Sequence, residues 1–473
     1  MKPPGGPGPL VVVGDALLDR DVDGQVRRLC PDAPVPVLED QVAACRPGGA
    51  ALAALMAARD GVPVVLVAPL GDDEASQTVL RLLASTVTVV RLPLHGSLPE
   101  KTRFRASGRT LLRADRGGGE AGAATDEALA AIATAGTVLV SDYGRGVTAD
   151  PGIRAALEQQ AVRVPLVWDP HPRGASPVPR ARLVTPNYAE AAGVTGVTGP
   201  PALPSAAAAA RELGQRWSAD AVAVTLGEGG ALLVQGATGP LVIPAQPLAV
   251  TDPCGAGDRF AATAAVALRR GALTSEAVTS AVASASAYLA DGGVARFSTS
   301  GQSPVEASGT GTRAGTGTQA GSGLEVARRV RAAGGTVVAT GGCFDLLHAG
   351  HVSLLETARS LGSGLIVCLN SDASVRRLKG DRRPFNHAAD RTAVLAALGA
   401  VDAVMVFEED TPCSVLDQLR PDIWVKGGDY DGRELPEAAL LETWGGVAVT
   451  VPYLKGRSTT RLAAASVDEA SLR

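Results

Sequence analysis

Lysine is the scarcest of the common charged residues: only five occur among 473 residues, and none follows a glycine. That excludes a Walker A loop, and with it the P-loop kinases. Arginine carries nearly all the positive charge beside a large alanine content, which looks like GC-rich coding bias and not a functional feature. The six cysteines are scattered without a CxxC pair, so neither a zinc site nor a disulfide framework is indicated. No run of eighteen apolar residues exists, which leaves no membrane span. Residues 1–9 are proline and glycine in the main and lack the apolar centre of a signal peptide. Charge of one sign is missing too, since 44 basic against 48 acidic residues leave a net charge of -4 and no footprint for nucleic acid. Nucleotides, not polynucleotides, are the expected anionic partners, in a cytoplasmic enzyme with no membrane association.

What is present is alternation. Short apolar runs at residues 10–13, 64–67, 138–140, 164–167, 183–185 and 222–225 are separated by alanine-rich stretches of helical length. That order predicts an α/β fold with a mainly parallel sheet. Residues 21–42 break the pattern with several prolines and a short Val/Leu alternation, which predicts strands and turns outside that sheet, a small β lid. Between about 300 and 323 the composition narrows to Gly, Ser, Thr and Ala, as in a flexible linker. The chain is too long for one typical domain. The linker divides it into a first domain at 1–300, a connecting segment at 301–323 and a second domain at 324–473. Apolar runs near 337 and at 365–369, 404–406, 423–425 and 447–451 predict that the second is a smaller, doubly wound domain.

Two strings stand at strand-to-helix turns. Residues 340–351 read TGGCFDLLHAGH, after an apolar strand and before a helical pattern with Val352, Leu355 and Ala358 on one face. The first N–H groups of a helix lack internal partners and sit at the positive end of its dipole, so such a turn attracts phosphate. His348 and His351 are three apart, which puts both imidazoles on one side of a starting helix, and Gly350 keeps the backbone open to a ligand. An HxxH pair alone also suits two surface histidines at a helix start. Residues 251–258 read TDPCGAGD, before an apolar helix at 260–268. Here Asp258 places a carboxylate at the helix start, although a capping aspartate after glycines is common.

The first string matches the pattern GxFDxxHxGH at Gly342, Phe344, Asp345, His348, Gly350 and His351, and so resembles the cytidylyltransferase-like nucleotidyltransferases. The resemblance implies that the two histidines contact a nucleoside triphosphate and stabilise charge building on its phosphates. A sugar phosphate is already ionised near neutral pH and attacks the α-phosphorus without a general base, so the protein must supply positioning and positive electrostatics. Lys379, Arg391 and Lys426 are candidate phosphate and nucleotide contacts. Ser458, Thr459 and Thr460, after Arg457, match the family's late Ser-Thr-Thr motif, whose hydroxyls would hold the triphosphate. Each of these taken alone suits a solvated surface residue equally well.

The second string resembles the GAGD signature of the ribokinase-like (phosphofructokinase B) carbohydrate kinases. That likeness implies that Gly255, Ala256 and Gly257 hold the transferring phosphoryl group while Asp258 takes the proton of the acceptor hydroxyl, since an alcohol needs a base. Asp15, Asp19, Gly48 and Gly49 match the family's sugar-binding positions. Asn187 and Glu190 match its magnesium and phosphate motif, a donor set suited to Mg²⁺. Thr225, Gly227 and Gly230 match its nucleotide loop. Lys101, Arg103 and Arg113 fall where the family places basic residues near the sugar, and Asp142, in Val140-Ser141-Asp142-Tyr143, joins the substrate-binding set.

Both halves in this order resemble the bifunctional family of D-glycero-β-D-manno-heptose 7-phosphate kinase and heptose 1-phosphate adenylyltransferase, and the likeness extends to residues 46–50, 370–374, 377–381, 407–412 and 425–430. It implies phosphorylation of the anomeric hydroxyl of heptose 7-phosphate, then adenylyl transfer to heptose 1-phosphate, with ATP as donor in both and a separate phosphatase acting between. The lid-like segment makes a homodimer a reasonable arrangement. Leu52 stands where the family has asparagine, Cys254 where it has threonine, Arg145 and His171 where it has lysines, and Gly341 where it has asparagine. Leu52 cannot make an amide's hydrogen bonds, and His171 titrates near neutrality. Those substitutions leave room for another sugar phosphate, another nucleotide, or a non-catalytic sugar-phosphate sensor.

Overall fold

The structure is a computed structural model that describes residues 8–107, 109–198, 202–236, 238–248, 252–297, 322–428 and 435–452. Residues 301–321 of the expected linker lie outside that set, as do Thr251, Asp429, Tyr430 and residues 457–460. The chain divides into two compact units: residues up to 199 with 209–231 and 245–307 form the first, and 200–208, 232–244 and those from 308 onward form the second. Among the described residues no helix is long and apolar enough to cross a membrane.

The first unit is built on β1 (Leu10–Gly14), whose sequence LVVVG is buried from end to end. A strand apolar on both faces belongs in the middle of a parallel sheet. It pairs in parallel with β4 (Val64–Pro69) on one side and β8 (Thr137–Ser141) on the other. With β5 (Thr88–Leu92), β9 (Leu166–Asp169), β10 (Leu183–Val184) and β11 (Ala221–Thr225), the order is β11-β10-β9-β8-β1-β4-β5. The connection order reverses at β1, so Asp15 just beyond it stands at the switch point where open α/β sheets bind ligands.

The chain between β1 and β4 makes β2 (Ala16–Leu29), β3 (Pro36–Gly49) and the buried helix α1 (Ala50–Arg59). Two more strands, β6 (Glu100–Ala106) and β7 (Arg109–Arg116), complete a separate sheet ordered β3-β2-β6-β7. This is the expected lid, larger than the 21–42 segment suggested. Its rows are ionic: Asp19 lies between Arg46 and Lys101 in register, and Asp21 pairs across with Arg103. Among the helices of this unit, α2 (Tyr188–Thr195) follows β10 and α3 (Ala256–Arg269) follows the glycine turn, the latter packed by α4 (Thr274–Ala290).

The second unit opens with α5 (Gly323–Ala332), started by a reciprocal Ser322/Glu325 capping box. Its sheet is β12 (Val337–Gly342), β13 (Gly364–Asn370), β14 (Ala403–Phe407), β15 (Ile423–Gly427) and β16 (Val447–Val451), parallel throughout and ordered β14-β13-β12-β15-β16. The helices α6 (Ala349–Ser360), α7 (Asp372–Lys379) and α8 (Ala388–Ala396) cross over between strands. Val337, Ile366, Phe407, Leu416 and Trp424 meet in one core. As in the first unit, the order reverses at the first strand, and the turn carrying the histidines lies directly after it.

Candidate active sites

In the first unit the glycines at the end of β3 are required by geometry. A Cβ on Gly48 would come within 2.2 Å of Leu17 and 2.6 Å of Asp19, and Gly49 has a left-handed φ of 60° with the Asp15 carbonyl in the way at 2.5 Å. Closing β2 onto β3 this tightly brings Asp15 and Asp19 to the mouth of the sheet. Asp15 Oδ2 accepts from the N–H groups of Tyr143 and Arg145, both at 3.0 Å, while its buried Oδ1 has no hydrogen-bond partner among the described residues. Burial raises its pKa above the usual carboxylate value. Asp19 pairs with Arg103 at 2.8 Å, and Arg103 also reaches Cys254 Sγ at 3.7 Å. Lys101, its pKa lowered by burial, holds its ammonium 5.5 Å from the centre of the Tyr143 ring. Arg113 forks onto Asp115 and is more exposed.

Asp258 sits buried in the first turn of α3, after Gly255 with φ of 78°. Burial pushes its pKa up to about 7, opposed by a 2.9 Å hydrogen bond from the Tyr143 hydroxyl. A carboxylate poised near neutrality suits a general base. Thr225, Gly227 and Gly230 line one cavity of about 360 Å³ with Ala256, Gly257 and Phe260, so the two glycine-rich segments, far apart in sequence, face a common space. Asn187 caps α2 through Glu190, which returns a bond to the Asn187 N–H, and Asn187 bridges to Thr225.

Two expectations look different in three dimensions. Both oxygens of Asp142 are taken within its own loop, by Gly144 N–H at 2.8 Å and the Thr148 hydroxyl at 2.7 Å, so it braces the turn. Leu52 is buried against the turn, its Cδ2 3.3 Å from where a Gly255 Cβ would sit. Sequence reasoning gave no role to Tyr143 or Asp169. Asp169, at the end of β9, accepts from Thr185 at 2.8 Å, and burial and the neighbouring Asp258 raise its pKa well above normal. The signal for Tyr143 was its place beside Asp142 in a string already singled out. Nothing comparable marks Asp169.

In the second unit His348 is the N-cap of α6, its Nδ1 accepting from the Gly350 N–H at 3.1 Å. Its ring stacks on His351 at 3.9 Å between centroids, and Phe344 closes on the other side of His351 at 5.2 Å. Burial and the neighbouring His348 lower the His351 pKa to about 4, leaving that ring neutral at physiological pH. Asp345 is buried and accepts from Arg383 at 2.6 Å and from the N–H groups of Phe385 and Asn386 at 2.6 and 3.2 Å. It ties the histidine turn to a loop some forty residues later.

Arg391 is buried, with its nitrogens on the carbonyls of Cys343 and Asn386 and on Asp372, so it organises the turn from within. Lys426 pairs with buried Glu437 at 2.8 and 3.1 Å. Lys379 ends α7 and is exposed. The Gly341 substitution has a steric reason: a Cβ there would lie 2.5 Å from the Trp424 ring. Ser458 and Thr459 are outside the described residues. Among the described residues no three His, Cys, Asp or Glu side chains converge to enclose a metal.

Residues 9–300 match the pfkB family carbohydrate kinases, and residues 339–459 match the cytidylyltransferase-like family. The bifunctional protein HldE of Streptomyces coelicolor is 55% identical over 464 residues, covering 98% of this chain and 97% of its own. That of Azorhizobium caulinodans is 38% identical over 474 residues, covering 96% and 98%. Among solved structures, Arabidopsis thaliana ribokinase complexed with ribose and ATP aligns at a TM-score of 0.48 and 23% identity, over 60% of this chain and 93% of that one. Matched over nearly its whole length by the two HldE proteins, and by both family models in turn, the chain belongs to the family of bifunctional HldE proteins, a pfkB-type carbohydrate kinase joined to a cytidylyltransferase-like nucleotidyltransferase.

Proposed function

We infer that the chain carries out two steps of ADP-heptose synthesis. The first unit transfers the γ-phosphoryl group of ATP to O1 of D-glycero-β-D-manno-heptose 7-phosphate. The second transfers AMP from ATP to heptose 1-phosphate, releasing pyrophosphate. The observation that carries this reading is the pairing of two chemically distinct helix starts in one chain: a buried carboxylate with pKa about 7 beside a glycine-lined cavity, and a stacked histidine pair at the cap of α6.

In the kinase step Asp258 takes the proton of the anomeric hydroxyl as its oxygen attacks, and the N–H groups at the start of α3 receive the transferring phosphoryl charge. Asp15 and Asp19 hold the sugar, the unpartnered Oδ1 of Asp15 being available to a sugar hydroxyl. Lys101 and Arg103 suit the 7-phosphate, and Thr225, Gly227 and Gly230 the nucleotide. Glu190 and Asn187 offer a carboxylate and an amide without a closed cage, which fits a Mg²⁺ ion held chiefly by nucleotide phosphates and water. Such an ion would neutralise phosphate charge.

In the adenylyl step the acceptor phosphate is already ionised, so no base is needed. His351, held neutral, and His348 beside it donate to the triphosphate, assisted by Lys379 and Lys426, while Phe344, Asp345 and Arg391 hold the turn in shape. Ser458 and Thr459 are assigned to the triphosphate by family likeness alone. Removal of the 7-phosphate between the steps falls to a separate phosphatase, in the cytoplasm, and the segment at 301–323 is assigned as the linker between domains, its last two residues belonging to the start of α5.

The test is ³¹P NMR of the full chain with ATP and each heptose phosphate. Heptose 7-phosphate should give a 1,7-bisphosphate, and heptose 1-phosphate should give a nucleotide sugar and pyrophosphate. Asp258→Asn should abolish only the first reaction. A protein that binds these sugars but turns over neither is the sensor instead.

A further inference from the structure

We propose that Tyr143 is a positioning residue for phosphoryl transfer, fixing the sugar-binding carboxylate through its backbone and the base through its hydroxyl. The inference rests on the reading of Asp258 as that base. The Tyr143 N–H donates to Asp15 Oδ2 at 3.0 Å, and the Tyr143 hydroxyl donates to Asp258 Oδ1 at 2.9 Å. Asp15 follows the central strand and Asp258 lies in α3, 243 positions later in the numbering, yet one residue sets both. The ring between these anchors is itself held. His171 stacks on it at 6.1 Å, the Lys101 ammonium lies over it, and the place where a Gly49 Cβ would stand is 3.4 Å from Tyr143 Cδ2.

The chemistry follows from which oxygen is engaged. With Oδ1 receiving the tyrosine hydrogen bond, Oδ2 takes the proton. The acceptor O–H bond breaks as the new O–P bond forms, the proton passes to Asp258 Oδ2, and the electron pair of the cleaved P–O bond leaves with ADP. Tyr143 stays protonated throughout, since burial and the adjacent Asp258 carboxylate hold its phenol well above its ordinary pKa. It is a donor only, and a donor to the ionised carboxylate keeps that carboxylate's pKa down.

Other groups also face Asp258: Asp19 and Lys101 from the lid, Asp169 from the end of β9 and Tyr288 from α4. None of these is altered by Tyr143→Phe, which keeps the ring and the backbone N–H and removes only the hydroxyl. The experiment measures kinase kcat/KM of the full chain from pH 5.5 to 9.5 for wild type and Tyr143→Phe, with adenylyl transfer assayed on the same preparations. We expect the acid limb of the kinase profile to move up by about one pH unit, as for loss of one hydrogen bond to a charged group. The kinase rate should then fall about tenfold near pH 6 and recover to within about twofold at high pH, with adenylyl transfer unchanged.

Partial misfolding would lower the rate by one factor at every pH and leave the limb where it was. A uniform loss, or none, therefore overturns the proposal. Asp258→Asn run alongside separates the two levels: if it keeps kinase activity, the base assignment fails and this inference with it, whereas a dead Asp258→Asn with an unmoved Tyr143→Phe limb refutes only the role of Tyr143.

Discussion

His348 and His351 stack with their ring centroids 3.9 Å apart, and the second ring is driven to a pKa of about 4 by burial and by the first. Two cations could not share that spacing cheaply. In the role proposed for His351, charge on the triphosphate is met by an N–H dipole and not by a cation, and the rate of adenylyl transfer should be free of any His351 titration between pH 6 and 8. The folded state holds this imidazole neutral while the unfolded chain protonates it as pH falls through the ordinary histidine value of 6.5. Stability of the second unit should accordingly decline as pH falls from 6.5 towards 4, and His351→Gln should lessen that decline in pH-dependent melts.

Asp258 runs in the opposite direction. Its folded pKa is about 7 against 3.8 as a free carboxyl, so the folded state keeps a proton that the unfolded chain gives up. Stability is lost as pH rises from 3.8 to 7, on the order of a few kcal/mol. Asp258→Asn should melt with wild type near pH 4 and above it at pH 8, while losing kinase activity. Equal melting at both pH values would remove the argument for a perturbed base.

Arg103 satisfies Asp19 at 2.8 Å, and both side chains are largely buried. Arg103→Met leaves that carboxylate facing the more distant Arg46, with Lys101 across the adjacent strand. Kinase kcat/KM for the sugar phosphate should fall at least about tenfold, mainly through KM, with the KM for ATP and the adenylyl step unchanged. Steady-state kinetics of the two half-reactions give the answer directly.

Gly341→Asn adds a side chain at a position where Trp424 leaves no room for a Cβ. Overpacking of this kind costs about 1–3 kcal/mol. The variant should lower the melting temperature of the second unit and slow adenylyl transfer, as read by calorimetry and pyrophosphate release, with kinase turnover unchanged.

Much of this was legible because apolar strands announce themselves. Runs such as LVVVG read as central strands, and the reversal of order at β1 and β12 puts Asp15 and the histidine turn at the two switch points. The lid strands β6 and β7 left no such trace, for KTRF and RTLLRADR are stabilised by charge across strands and not by an apolar face. Arg391 shows a second limit. As a cation near a phosphate motif it suggests a ligand contact, but whether a guanidinium is spent on carbonyls 5 and 48 residues away is decided by packing alone. Tyr143 is a third case, since its partners Asp15 and Asp258 are 128 and 115 residues distant.

The inner face of the lid alternates sign from strand to strand, through Arg46, Asp19, Asp21, Arg103 and Arg105. Parting such strands uncovers little hydrocarbon, so local loosening there should carry almost no heat-capacity signature. Ionic strength, more than temperature, is the variable to which this sheet responds, through the more exposed of its pairs.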